Sequence, residues 1–128
     1  MVVREFMSSP PVTLESGTSV QDACKLMGEK HIGSILLSRE KVVHAIFTER
    51  DLISKVIPEK ENLTSAKVER YASSPLITVD PTADVKEAAR IMTEMKVRRL
   101  VVVENGRPVG VFTAADLARA VGRHPLEL

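Results

Sequence analysis

Ile46-Phe47-Thr48-Glu49-Arg50-Asp51-Leu52 and Val111-Phe112-Thr113-Ala114-Ala115-Asp116-Leu117 are one short pattern written twice. Each copy is an apolar strand end, then Thr-x-x-Asp, then apolar residues at helical spacing. The pattern reads in two ways. A Ser or Thr followed three residues later by an acid, ahead of an apolar run, caps a helix. The same turn can hold a ribose, because an ionised carboxylate only accepts hydrogen bonds and a 2′,3′-diol offers two donors. Backbone N–H groups of a first helical turn also attract phosphate oxygens, and the Thr hydroxyl can donate to the same phosphate. The cap and ribose roles do not exclude each other.

The duplication extends well beyond the turn. A shift that puts Ser8-Ser9-Pro10 on Ser73-Ser74-Pro75 also puts Thr13 on Thr78, Val20 on Val85, Met27 on Met92, Asp51 on Asp116 and Val56 on Val121, without a gap. Phe6 falls on Tyr71 and Cys24 on Ala89. The chain is therefore a duplicated unit, with repeats over 1–60 and 61–128.

Within each repeat a short turn leads to a Ser-Ser-Pro break, where proline forces its predecessor out of the helical region. A short strand follows, Val12-Thr13-Leu14 or Ile77-Thr78-Val79. Val20, Ala23, Cys24 and Met27, like Val85, Ala88, Ala89 and Met92, then mark the apolar stripe of a helix. Ser19 with Asp22, and Asp84 with Glu87, read as its capping pairs. Two strands come next, 34–38 with 42–47 and 100–104 with 109–112. Asn105-Gly106 is a hairpin signal, whereas Arg39-Glu40-Lys41 is a poorer one. The last helix carries Leu52, Ile53 and Val56, or Leu117, Ala118 and Val121. Pro58 to Leu63 reads as a charged connector between the halves. The expected fold is α+β of α/β type. Each repeat is near sixty residues, a size at which a lone core is marginal. The two sheets are therefore expected to pack together with pseudo-two-fold symmetry.

Composition narrows the function. The chain has 128 residues, 44% hydrophobic and 27% charged, with a formal net charge of +1. A nucleic-acid binder would be strongly basic, and a disordered chain would be less apolar and more charged. No apolar run approaches the roughly 18 residues of a membrane span, and the N-terminus lacks a signal peptide's apolar region. These features point to a cytoplasmic protein. One cysteine, with His31, His44 and His124 scattered, leaves no zinc-ligand spacing. The core is aliphatic, so a planar ligand would lie between Ile, Val and Leu side chains.

Laid out this way, the chain resembles a tandem pair of CBS domains, a Bateman module. The residues that carry the likeness are Met7-Ser8-Ser9 with Val12-Thr13, the two Thr-x-x-Asp turns, Gly110-Val111-Phe112, and Lys96-Val97-Arg98-Arg99-Leu100-Val101-Val102. The resemblance implies two βαββα repeats, association into a homodimer, and clefts for adenosine-containing ligands such as AMP, ADP, ATP, S-adenosylmethionine or NAD. It implies one site from Ile46, Thr48 and Asp51 with Thr78, Ala83, Val97, Arg98 and Arg99. It implies a second from Val111, Thr113 and Asp116 with Thr13, Thr18, Ile32 and Gly33. Arg98-Arg99 replaces Gly33-Ser34 of the first repeat, and arginine suits bidentate phosphate contact. The Asp51 site is thus expected to favour phosphate, with Lys96 nearby. Lys96 to Arg99 also reads as an ordinary solvated run. Ala45 stands where the second repeat has Gly110, which suggests a tighter backbone approach in the first copy.

The expected function is a regulatory sensor of adenine nucleotides acting on an unidentified protein in trans. The alternative is a ligand-free dimerisation scaffold. Neither a Walker loop, nor a nucleophile with its base, nor a metal cluster is visible, so no catalysis is expected. No catalytic cofactor, membrane partner or nucleic acid is expected either.

Overall fold

The computed structural model describes residues 1–123. His124 and the tail after it lie outside the described residues. The first repeat runs β1 (Thr13–Glu15), α1 (Val20–Lys30), β2 (Ser34–Arg39) and β3 (Val42–Thr48). Next come α2 (Glu49–Asp51), a π-helical stretch (Leu52–Val56) and α3 (Ile57–Glu59), one continuous helix. The second repeat runs β4 (Thr78–Val79), α4 (Val85–Met95), β5 (Arg99–Glu104), β6 (Arg107–Thr113) and α5 (Ala114–Arg123). Each repeat forms a three-stranded sheet. The central strand, β2 or β5, pairs parallel with the first strand and antiparallel with the third.

The compact units do not follow the repeat boundaries. One unit is Val12–Leu76; the other joins Met1–Pro11 to Ile77–Leu128. The segment leading into each repeat therefore docks on the sheet of the other repeat. In the unit of the second repeat, Val3 N–H donates to Ala83 O at 2.9 Å, and Ser8 and Val111 exchange backbone bonds at 3.0 Å. In the unit of the first repeat, Val68 N–H donates to Thr18 O at 2.9 Å, and Ser73 and Ile46 exchange bonds at 2.9 and 3.1 Å. Both lead segments carry a cis peptide bond, Ser9-Pro10 and Ser74-Pro75.

Each core combines one helical stripe, one sheet face and one lead segment. Val20, Ala23 and Met27 pack with Ile35, Leu37, Phe47, Val56, Val68 and Tyr71. Val85, Ala88 and Met92 pack with Leu100, Val102, Phe112, Ala120, Val3 and Phe6. The stripes thus fall where periodicity puts them, and Cys24 packs half-buried at the edge of its cluster. Burial pushes its thiol pKa up.

Local details depart from expectation in three places. Ser19 accepts from Asp22 N–H, but Asp84 accepts from Lys86 N–H rather than from Glu87; Glu87 instead holds Arg90. The final helix departs in part: Val56 is buried as its spacing predicts, but Ile53 and Val121 are exposed, and in the second copy Ala120 is the buried apolar position. The π-turn inserts one residue into the first copy, so the gap-free alignment slips by one beyond Leu52. Pro58 gives a reason for the wider turn. It lacks an N–H, and in a regular α-helix its ring presses on the carbonyl four residues back.

The third departure is the first hairpin. Glu40 and Lys41 both adopt positive φ (52° and 68°), like Asn105 and Gly106 (52° and 77°). Both hairpins are therefore two-residue turns with positive φ at both centres, the type I′ pattern. A left-handed conformation costs an ordinary residue about 1–2 kcal/mol. Glu40→Asn with Lys41→Gly is expected to raise unfolding stability by about 1–2 kcal/mol in urea titration. No gain would mean that side-chain contacts of Glu40 or Lys41 offset the strain.

Candidate functional site

The Thr-x-x-Asp turns follow directly from the strand ends. Thr48 and Thr113 close β3 and β6 opposite Ser34 and Arg99. In the first copy Asp51 N–H donates to Thr48 Oγ1 at 3.2 Å, and Thr48 N–H donates back to Asp51 Oδ2 at 2.9 Å. This is a reciprocal capping box. In the second copy the matching distances are 3.1 and 2.8 Å. Both carboxylates are buried, Asp51 at 6% and Asp116 at 4% exposure. They are the acidic side chains found buried among the described residues. The capping reading is thus realised in both copies, and burial exceeds what a surface cap needs.

A buried carboxylate requires a counter-charge. Lys55 Nζ lies 3.0 Å from Asp51 Oδ1, and Arg119 Nη1 lies 3.2 Å from Asp116 Oδ1. Each cation also reaches the lead segment of its unit: Lys55 donates to Tyr71 O at 3.2 Å and Arg119 to Phe6 O at 2.9 Å. Lys55 stands four residues beyond its Asp and Arg119 three, a difference the π-turn absorbs. Neither cation appeared in the sequence reading, because the gap-free alignment puts Lys55 on Ala120 and Arg119 on Ser54.

The copies differ in spare acceptor capacity. A carboxylate has about four lone-pair sites. Thr48 Oγ1 also donates to Asp51 Oδ2, at 3.1 Å; among the described residues no matching bond runs from Thr113. Asp51 therefore keeps roughly one acceptor site and Asp116 roughly two. Thr48 spends its proton on Asp51, so the phosphate role expected for that hydroxyl requires it to turn.

The remaining candidates divide between the units. Thr13, Thr18, Ile32 and Gly33 share a unit with Ile46, Thr48 and Asp51; Thr78, Ala83, Val97, Arg98 and Arg99 share one with Val111, Thr113 and Asp116. Thr13 and Thr78 are exposed on β1 and β4, while Ile32 and Val97 are half-buried just after their helices. Thr18 O and Ala83 O hold the lead segments. Gly33 O accepts from Glu49 N–H, and Arg98 O accepts from Ala114 N–H. The structure thus brings Arg98 and Arg99 to the Thr113 turn and Gly33 to the Thr48 turn. Arg98 is exposed and Arg99 half-buried. The backbone N–H groups of Ile46 and Val111 are committed to Ser73 and Ser8. Their carbonyl oxygens, which accept from Ser73 and Ser8, each retain a lone pair.

Two further features correct the sequence reading. The tight backbone approach is in the second copy: a Cβ on Gly110 would fall 2.8 Å from Ser8 O and 2.7 Å from Met7 Sδ. Ala45 is accommodated, buried in a cluster that includes Ala72. In addition, the β-bulge after Leu37 brings His44 Nε2 to Ser16 Oγ, which also donates to Ser38 O at 3.1 Å. Only proximity in the fold reveals this contact, because Ser16 and His44 lie on different elements. Among the described residues no helix is long and apolar enough to cross a membrane.

Comparison with known proteins agrees with this architecture. The profile of the CBS domain matches residues 3–58 and again 68–123. An uncharacterized protein of Methanocaldococcus jannaschii is 34% identical over 112 residues, covering 85% of this chain and 60% of its own length. Another from Methanopyrus kandleri is 37% identical over 102 residues, covering 78% of this chain and 52% of the relative. The chain thus spans little more than half the length of these two relatives. The solved structure of a putative signal-transduction protein with CBS domains from Burkholderia ambifaria MC40-6 superposes with a TM-score of 0.87 at 29% identity, over 94% of this chain and 93% of that one. With two matched copies, the same strand and helix order in both, and the Thr-x-x-Asp turn at the same place in each, the chain belongs to the CBS-domain family.

Proposed function

We propose that the chain is a regulatory module that binds an adenosine-containing nucleotide, with AMP, ADP or ATP ahead of S-adenosylmethionine and NAD, and performs no catalysis. The observation that carries this reading is the pair of buried carboxylates, Asp51 and Asp116, each at a helix start with acceptor capacity left over. A ribose diol supplies the donors such an acceptor lacks. Ile46, Thr48 and Asp51 contribute to one site. Val111, Thr113 and Asp116 contribute to another.

Titration calorimetry of the folded protein with the five ligands tests the reading; no heat with any of them overturns it. Asp51→Ala is expected to weaken AMP binding at least ten-fold, since a hydrogen bond to a charged group is worth about 1.5–3 kcal/mol. Unchanged AMP affinity in a variant that keeps its circular dichroism would refute the assignment of Asp51. A homodimer that regulates a protein in trans completes the proposal. Ile53 and Ile57, 69% and 54% exposed, offer an apolar surface for it. They equally favour the second reading, a dimerisation scaffold that binds no nucleotide. A thermal shift with AMP separates the two: the sensor is stabilised and the scaffold is not.

A further inference from the structure

We propose that the two lead segments carry a pairing code, written in charge and in size, that sends each to the sheet of the other repeat. Most of what docks them is blind to sequence. Val3 and Val68 are equally buried, as are Phe6 and Tyr71. The backbone bonds to Ala83 and Val111 in one unit repeat those to Thr18 and Ile46 in the other. The wrong docking is also within reach. With Ser8 on the outer edge of β3, the chain would cross three strand spacings, about 14 Å, to enter β1 at Thr13, and the five residue steps from Ser8 to Thr13 reach slightly more than that at about 3.3 Å each.

The differences between the segments all oppose that exchange. Val3-Arg4-Glu5-Phe6 and Val68-Glu69-Arg70-Tyr71 carry the same two charges in reverse order. Arg4 pairs with Glu104, the last residue of β5; Glu69 pairs with Arg39, the last residue of β2. The bridge is the same in both units with its polarity reversed. Exchanged segments would set Arg4 on Arg39 and Glu69 on Glu104. Arg70 also pairs with Glu59 and Glu61, where Glu5 would be repelled. Tyr71 donates to Glu59 at 2.6 Å, and Phe6 has no hydroxyl to replace it.

Size adds a second discrimination. Met7 lies where a Cβ on residue 110 would be, and only Gly110 leaves the room. The first repeat has Ala45 there, and the residue that matches Met7 is the smaller Ala72, packed against the same cluster. Met7 docked on the first sheet would meet the Ala45 methyl. An exposed bridge stabilises the native pairing only slightly. Its weight lies in the like-charge contacts that the alternative must accept, the usual form of discrimination against a competing state.

The test separates this role from ordinary stabilisation. Arg4→Glu with Glu104→Arg keeps both native bridges but makes the exchanged pairing attractive as well; adding Met7→Ala removes the size barrier. In a Cys24→Ala background, Ser8→Cys with Val111→Cys reports correct docking, and Ser8→Cys with Ile46→Cys reports exchange. Chains are refolded from urea in a glutathione buffer, and links are counted within one chain or between two. The 8–46 link is expected to rise on the order of ten-fold in Arg4→Glu/Glu104→Arg/Met7→Ala over the unaltered background, the effect of several exposed charge contacts reversing together. In the unaltered background it is expected to rise in 1 M salt, where screening acts within about 3 Å. Equal 8–46 yields in both backgrounds overturn the proposal, as does an unaltered background whose yield is indifferent to salt. The charge-only variant, Arg4→Glu/Glu104→Arg, serves if Met7→Ala impairs folding.

Discussion

Phe112→Ala is expected to destabilise the protein by about 3–5 kcal/mol, the usual cost of a large cavity in a packed core. Phe112 is fully buried, and Leu100, its partner across the ladder, is fully buried too. Few aromatics are available to refill the space, and a core of this size has little reserve. The location of the loss is as informative as its size. In hydrogen exchange, the amides of Val3 and Ser8 are expected to lose protection together with those of β5 and β6, because they donate to Ala83 and Val111. The amides of 13–48 are expected to change less. If Val3 and Ser8 stayed protected while β6 opened, the N-terminal segment would not belong to that cooperative unit.

Gly110→Ala is the second large effect, about 1–3 kcal/mol, as expected when a methyl group is forced into filled space. The added Cβ would sit 2.7 Å from Met7 Sδ and 2.8 Å from Ser8 O. The thioether is the end of a flexible side chain and can move. The Ser8 carbonyl cannot move freely, because it is bonded to Val111 N–H at 3.0 Å. Met7→Ala in the same chain should therefore recover part of the loss, and a double-mutant cycle by urea unfolding measures how much. Strict additivity of the two substitutions would show that Met7 does not occupy the space.

Periodicity and turn chemistry made most of the architecture readable in advance. The stripes of α1 and α4, both hairpins and both capping turns lie where those local signals place them. What escaped was long-range or out of phase. Val3 itself does not say that it will pack with Val85 rather than Val20, because both stripes offer the same surface, and the charges beside it distinguish the two only once Glu104 and Arg39 are placed by the fold. The π-turn leaves no local mark except Pro58, so a gap-free comparison hid Lys55 and Arg119 as counterparts. Glu40 and Lys41 adopt positive φ despite their residue type because the hairpin they close is fixed by the strands on either side. At the candidate site, sequence identified the carboxylates. It could not show that Thr48 spends its hydroxyl on Asp51, or that the Ile46 and Val111 amides are already bonded, since both depend on partners in the fold.

The crossed docking of the lead segments also bears on descent. A solitary repeat would have an incomplete core, lacking the valine and aromatic that arrive here from elsewhere in the chain. Two copies of an unduplicated ancestor could complete each other only by trading their first residues, as swapped dimers do. Fusion of the genes would turn that trade between molecules into one within a molecule. The two halves would then be free to diverge, one keeping glycine against methionine, the other alanine against alanine.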